Sequence, residues 1–406
     1  MNLSPRINLS PRTGLSVEFV GATADIPEAL WDACFPPPLE GRWWYQALER
    51  CGVDDQFTFR YGLITQDGQA VGVLPAFVMD VPISLVAPEA ALPLFTIPGR
   101  LFPSLLRQRT LFAGSPCSDE GRLGLLPGVD RRAALLAGQD ALEREARRQR
   151  ATMIVWKDFP DAAYAGDFAW LAQRRRLFSM PSFPGAVVTL PSSRKEDYFA
   201  QLKGSRRHNL KKKLRHSAEA VEIDVEVAQR PGPALLDAVF GLFWQTYENA
   251  SIRFERLNRR FFDLLAAEPV SHFVLLRERG SGDLVAFMLC FALGDLVINK
   301  FIGIDYARPE EWLLYFRLWE AALDWSLGRG AAAIQSGQTG YAPKIEIGHA
   351  LTPMSNHARH RNWLVHRIYA AVAGAITWST LDADLARYVK AHPDQGNRLA
   401  ITPTHT

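Results

Sequence analysis

Two separate stretches of the chain read as apolar strand, polar turn signal and apolar strand. Phe57 to Met79 reads as a strand, an Asp67-Gly68 turn and a second strand, with Gly72-Val73-Leu74-Pro75 after the turn. His272 to Leu293 repeats that pattern around Gly280-Ser281-Gly282-Asp283. Each hairpin is followed, after further elements, by a helical period and a short apolar strand. These are Ala133–Arg150 and Thr152–Trp156 in the first half, and Pro309–Leu327 and Ala331–Ser336 in the second. The spacing from hairpin to final strand differs between halves, so the pattern predicts a shared architecture rather than a duplicated sequence. The chain, at 406 residues, is also longer than one hydrophobic core usually accommodates. Two α/β units of similar plan, each with a mixed sheet, are expected.

The second half carries the richer pattern. Gly185–Leu190 reads as a strand, with Ser192 or Ser193 able to cap a helix over about Lys195–Ala220. Val221–Val227 alternates as a half-buried strand, Ala234–Glu248 and Arg259–Ala267 read as helices, and Leu296–Gly303 as a strand. With the hairpin, this gives the order β-α-β-α-α-β-β-β-α-β. Tyr164–Pro184 reads as a crossover between halves, and Pro82–Pro127, with seven prolines, as a long ordered loop region with short strands. Residues 2–6 and 8–12 both read Asn-Leu-Ser-Pro-Arg and predict a flexible tail or an upstream start site.

Composition narrows the class. Hydrophobic residues at 48% and charged residues at 22% exclude a wholly disordered chain. The most apolar stretch, Val285 to Ile304, is interrupted by Asp295 and Lys300, and no apolar run is long enough to span a bilayer. No signal-peptide pattern opens the sequence, so a cytoplasmic protein is expected. Cys34, Cys51, Cys117 and Cys290 are widely separated and suggest neither a disulfide framework nor a metal site. Cys290, inside a strand pattern, is expected to be a buried thiol. Net charge is only +3, yet Lys203, Arg206, Arg207, Lys211, Lys212, Lys213 and Arg215 form an uninterrupted basic run, and the rest of the chain is net acidic. A solvated helix face usually mixes signs, whereas this one asks for an anionic partner.

The segment Leu202-Lys203-Gly204-Ser205-Arg206-Arg207-His208-Asn209-Leu210-Lys211-Lys212 resembles the basic helix of FemAB-like members of the GNAT acyltransferase superfamily. Gly337-Gln338-Thr339-Gly340-Tyr341-Ala342-Pro343-Lys344, with Gly348 beyond, is similar to their Gly-x-x-x-Tyr-x-x-Lys-x-x-x-Gly segment. The resemblance covers about 185–365 well and 27–160 more weakly. It implies two GNAT-like α/β lobes in tandem: a tail over 1–16, a first lobe over 17–180, a second, catalytic lobe over 181–380 and a tail over 381–406. It also implies transfer of an acyl or aminoacyl group from an activated donor to a small-molecule amine. No tightly bound cofactor or metal is expected. The co-substrate is acyl-CoA, an acyl-carrier protein or aminoacyl-tRNA, which makes a carrier protein or tRNA the macromolecular partner.

On chemistry, Arg206 and Arg207 suit bidentate phosphate contacts and Lys211 a point-charge contact. Asn209 and Gln338, inside the two motifs, complete the expected donor-binding set. Lys344, from the resemblance, would stabilise the charge developing on the reacting carbonyl, with Tyr341 beside it. Glu248, Glu346 and His349 are the alternatives for the base that takes the amine proton. The expected helix start Arg308-Pro309-Glu310-Glu311 lacks a donor and carries two carboxylates, which argues against a CoA pyrophosphate there. That start also keeps open a non-catalytic protein of GNAT fold. His357, His360 and His366, with Arg359, Arg361 and Arg367, have no metal-ligand spacing and read as surface. Trp312, Trp319 and Trp325 read as core.

Overall fold

A computed structural model of the protein describes residues 14–82, 107–250, 253 and 255–393. Most of the tail expected over 1–16, part of the loop expected over 82–127 and residues 394–406 lie outside the described residues. The first lobe runs β1 (Leu15–Val20), α1 (Glu28–Cys34), α2 (Arg42–Arg50), β2 (Thr58–Gln66), β3 (Gln69–Pro82), β4 (Arg107–Ala113), β5 (Gly124–Leu125), α3 (Arg131–Arg148), β6 (Met153–Pro160), α4 (Asp161–Arg175) and β7 (Phe178–Pro181). The β2–β3 hairpin is the one its sequence predicts. Asp67 and Gly68 both take positive φ, 51° and 79°, as a two-residue turn between twisted strands requires. Asp130 caps α3 by accepting from the amides of Arg132 and Ala133.

The second lobe runs β8 (Gly185–Thr189), α5 (Lys195–Gln201), α6 (Gly204–Ala220), β9 (Ile223–Ala228), α7 (Pro233–Asn249), α8 (Arg259–Ala266), β10 (Ser271–Glu278), β11 (Leu284–Leu293), β12 (Leu296–Ile304), α9 (Leu314–Gly328), β13 (Ala333–Ser336), α10 (Tyr341–Glu346) and β14 (Ala350–Thr352). Its sheet is ordered β14-β8-β13-β12-β11-β10-β9. Two expectations change here. The helix expected over 195–220 is two helices, broken at Leu202-Lys203. The helix expected from Pro309 begins at Leu314: Glu310–Trp312 is a separate 3-10 turn, and Leu313 in the left-handed region, at φ 45°, divides the two. Glu310 and Glu311 therefore do not occupy the first turn of α9.

The chain then returns to the first lobe. Residues β15 (Met354–His360) insert between β6 and β7, giving the order β1-β2-β3-β4-β6-β15-β7, with β5 paired to β3. The boundary expected at 180/181 thus does not separate the sheets, since β15 completes the first from beyond the second. Burial follows from this insertion. His357 and His360, expected at the surface, are 4% and 9% exposed because β15 has a strand on each side. Three helices close the described chain: α11 (Trp363–Ala373), α12 (Trp378–Leu381) and α13 (Ala383–Ala391). Part of the tail expected over 381–406 is therefore a helix, and Leu385 packs with Trp378 against Tyr341.

One core passes through both lobes. Trp44 meets Phe261 and Phe291 at ring separations of 5.7 and 6.0 Å, and Trp43 meets Phe291 at 5.0 Å. Polar contacts reinforce the join: the Gln56 amide pairs with the Arg256 backbone, and Asn258 Nδ2 donates to the Cys51 carbonyl at 2.7 Å. Trp319 lies in the core of the second lobe, whereas Trp312 and Trp325 are partly buried beside it. Cys290 is fully buried, and desolvation pushes its thiol well above the ordinary range.

Candidate active site

Parallel strands that separate part-way leave a notch lined by backbone from both. β12 and β13 pair from Leu296/Ala333 to Asn299/Ser336, after which β12 continues and β13 ends. Lys300 and Gly337 therefore stand at the root of a notch. The first lobe repeats this geometry, with β4 and β6 paired from Thr110/Met153 to Ala113/Trp156. There the chain itself fills the gap: the Gly121 amide donates to the Asp158 carbonyl at 2.8 Å. A Cβ on Gly121 would lie only 2.1 Å from the Lys157 carbonyl oxygen, so glycine is required for that approach. The same segment carries Asp119 towards the notch of the second lobe.

Lys300 Nζ donates to Glu40 Oε1 at 2.8 Å, lies 3.3 Å from Asp119 Oδ2 and stands 4.6 Å from the Trp44 ring centroid. Its side chain is 1% exposed. Burial pulls the ammonium down, but Asp119 and Glu40 outweigh it and hold it above the ordinary lysine range. Asp119 is displaced upward by burial, with Lys300 opposing and Glu40 assisting. Its Oδ2 has no hydrogen-bond partner of good geometry, and neither has the buried Asn299 Nδ2 beside Lys300 in sequence. A Cβ on Gly337 would fall 3.4 Å from Asp119 Oδ1, so the aspartate closes on the backbone that leaves β13.

Of the residues expected in catalysis, Lys344 and His349 come to this backbone. Lys344 Nζ donates to the carbonyls of Gly337 and Thr339, the latter at 2.7 Å, with the Gln338 carbonyl at 3.4 Å. Burial lowers its pKa to about 8, against the pull of Asp119. With its protons engaged by carbonyls, Lys344 organises the loop leaving β13. His349 Nδ1 lies 3.2 Å from the Lys344 carbonyl and Nε2 2.9 Å from Ser336 Oγ. The carbonyl can only accept, so Nδ1 carries the proton and Nε2 accepts from the serine. Burial, with Lys344 adding to it, depresses His349 to about 3. Such a group is a poor proton acceptor near neutrality.

The other expected catalytic residues are engaged elsewhere. Tyr341 is fully buried and donates to the Pro184 carbonyl at 2.9 Å, and its phenol is pushed well above its ordinary range by desolvation. Glu346 pairs with Lys213 at 2.7 Å, tying α10 to α6. Glu248 is exposed at the end of α7 and accepts from Trp244 Nε1 at 2.8 Å. Gln338 Nε2 donates to the Phe183 carbonyl at 2.9 Å, so it too anchors the loop. Glu40, Asp119 and Lys300 were not expected, although the lysine interrupting the apolar run 285–304 is their trace in the sequence.

The basic helix is as charged in space as in sequence. α6 buries a stripe of Leu210, Leu214 and Ser217 and turns Arg207, His208, Lys211, Lys212 and Arg215 towards a shared surface groove. Among the described residues, Lys213 alone of the seven cations from Lys203 to Arg215 forms an ion pair. Arg206 is half-buried and Asn209 exposed; Lys211 lies 4.9 Å from the Phe199 ring centroid. The helix also borders the start of α9. Ser217 Oγ donates to the Trp312 carbonyl at 2.6 Å, and a Cβ on Gly348 would meet Leu202 at 2.4 Å.

Comparison with known proteins places these features in a class. Residues 204–333, from α6 to β13, match the family model described as an acetyltransferase (GNAT) domain. The solved structure of FemX is similar, with a TM-score of 0.57 at 11% identity over 87% of this chain and 100% of that one. A conserved protein of unknown function from Bacteroides thetaiotaomicron VPI-5482 gives 0.50 at 10% identity over 85% and 100%. A tandem GNAT protein from the clavulanic acid biosynthesis pathway gives 0.48 at 11% identity, over 86% and 99%. No curated protein matches in sequence. The fold is that of two GNAT-like lobes in tandem. In that fold the chain is similar to FemX, and its second lobe carries the match to the GNAT domain.

The buried neutral histidines make acid a selective stress. His357, stacked 3.9 Å from the Phe168 ring, is depressed by burial to about 3, like His349. The unfolded chain binds more protons than the folded one between that value and the ordinary 6.5, so stability falls as pH drops below 6.5. Each histidine contributes up to about 1.4 kcal/mol per pH unit. Urea unfolding between pH 7 and pH 5 is expected to show this slope, flattened in His349→Gln/His357→Gln. An unchanged slope in the double variant would count against both assignments.

Proposed function

We propose that the protein transfers an acyl or aminoacyl group from an activated donor to an amine, with the β12–β13 notch as the reaction centre. The observation that carries this reading is the row of unpaired cations on α6, beside a notch holding buried charge. Arg206, Arg207 and Lys211, with Asn209, anchor the anionic part of the donor, whether acyl-CoA, an acyl-carrier protein or aminoacyl-tRNA. The acceptor amine attacks the donor carbonyl directly. Asp119 takes its proton: the upward displacement of its pKa makes it a stronger base, although Oδ2 is shared with the Lys300 ammonium 3.3 Å away. Lys300 then offsets charge on the carbonyl oxygen, and Lys344 fixes the loop bordering the notch.

Native mass spectrometry of the purified chain with acetyl-CoA, acyl-carrier protein and total aminoacyl-tRNA tests the donor. Retention of one of them, lost in Arg206→Glu/Arg207→Glu, supports the reading. Failure to hold any would favour the non-catalytic GNAT-fold alternative. Lys344→Met separates a loop pin from a group acting only in the transition state. It is expected to lower stability by about 1–3 kcal/mol, since buried carbonyls lose their donor, and to reduce turnover as well. Loss of turnover with an unchanged urea midpoint would return Lys344 to the reacting carbonyl.

A further inference from the structure

Six large apolar residues are more than a third exposed among the described residues, and three of them lie on α11. Trp363 is 69% exposed, Leu364 55% and Ile368 57%. Their spacing at i, i+1 and i+5 places them on one side of the helix, with Arg367 and Ala371 also exposed. The opposite side is fixed to the first lobe: Tyr369 OH donates to Gln108 Oε1 at 3.1 Å, and His366 lies 5.2 Å from the Phe178 ring. Asn362 caps the helix by accepting from the amides of Leu364 and Val365. The exposed face is therefore held by an anchored, capped helix. An exposed tryptophan beside two aliphatic residues is a costly arrangement for a surface that meets only water.

The charges around this face are of one sign. Arg361 and Arg367 flank it, and Arg176 acts on His366 from the end of α4. None of these three forms an ion pair among the described residues. Two nearby carboxylates are already engaged: Glu143 by Arg359, and Asp80 by Arg109. From Arg361 to Leu381 the sequence has no acidic residue. A polar face carrying arginine beside Trp, Leu and Ile is the pattern of a helix that lies in a membrane interface. Arginines without a carboxylate partner complement the negative potential of anionic lipid, with Arg361 also donating to the Ala151 carbonyl at 3.2 Å.

We infer that α11 docks the protein on an anionic membrane surface, with Trp363, Leu364 and Ile368 entering the headgroup boundary and Arg361, Arg367 and Arg176 meeting lipid phosphates. The helix lies on the surface and does not cross it; among the described residues no helix is long and apolar enough to span a bilayer. The site is separate from the notch and from α6, so the inference stands independently of the acyl-transfer reading.

Flotation of the full chain with phosphatidylglycerol-containing vesicles and with pure phosphatidylcholine vesicles tests it. The chain is expected to partition at least tenfold more onto the anionic vesicles at low salt, with a blue shift in tryptophan emission. Trp363→Glu/Ile368→Glu should abolish partitioning, and Arg361→Gln/Arg367→Gln should remove the preference for anionic lipid. Retained near-ultraviolet circular dichroism verifies that these surface variants fold. Arg206→Glu/Arg207→Glu should leave partitioning unchanged, and its loss in that variant would move the contact to α6 and overturn the inference. Absence of vesicle binding would also overturn it. So would concentration-dependent self-association abolished by Trp363→Glu in place of vesicle binding, which would make a second copy the occupant. A face covered by the apolar segment 83–106, shown by crosslinking to a cysteine placed at 363, with no response to vesicles, would exclude lipid as well.

Discussion

Lys300→Ala is expected to lower the unfolding free energy by about 3–5 kcal/mol at pH 7, the usual cost of removing one partner from a buried ion pair. The substitution leaves Glu40 and Asp119 facing a space from which their cation has gone. Their side chains are only 15% and 12% exposed, so water does little to replace it. The loss should shrink as the pH is lowered from 7 to 5. Asp119 already has its folded pKa displaced upward, and removing Lys300 takes away its largest opposing influence. At Asp119 the folded variant then binds more protons than its unfolded chain, so its deficit against the parent narrows as pH falls. Urea denaturation at the two pH values measures both effects, and Lys300→Met with Glu40→Gln and Asp119→Asn should recover most of the loss. A cost below about 1 kcal/mol, or one indifferent to pH, would mean that Lys300 is not the cation on which the cluster depends.

Charge reversal on α6 should act on activity and leave stability almost untouched. With Arg206, Arg207 and Lys211 all changed to Glu, kcat/KM for a polyanionic donor is expected to fall by about two orders of magnitude at low salt. The salt dependence should weaken by about three counterions if each cation meets one phosphate. None of the three forms an ion pair among the described residues, so their removal breaks no carboxylate contact. Circular dichroism should show the helix intact, and the dependence of KM on salt, measured from 50 to 200 mM, provides the slope. An unchanged slope would show that the donor's anion sits elsewhere.

What could be read in the sequence was local. The two hairpins announced themselves because apolar strand patterns are interrupted at Asp67-Gly68 in one and at a glycine-rich turn in the other. The cations of α6 were equally visible, since a run of one sign needs no tertiary information. Lys300 appeared only as an interruption in an apolar stretch. Its partners Glu40 and Asp119 lie 260 and 181 positions away in the chain and meet it only after the lobes pack. The start of α9 was misplaced because proline at a first helical position normally opens a helix. Nothing in Leu313 advertises the left-handed conformation that breaks it. β15 was missed for a related reason: histidines and arginines suggest a solvated surface, yet His357 is satisfied by Ser179 at 2.7 Å and stacked on Phe168.

The insertion of β15 also constrains how the chain comes to be folded. Among the described residues, β7 pairs with β15 alone, and β6 has β15 on one flank. A ribosome that has made the whole first lobe has therefore made a sheet with a missing inner strand, and that strand is synthesised after all of β8 to β14. Until it emerges, β6 presents an open edge of the kind that pairs with stray neighbours. Lobe-by-lobe synthesis therefore cannot complete the first sheet, whose last pairings wait on the strand made after the second lobe.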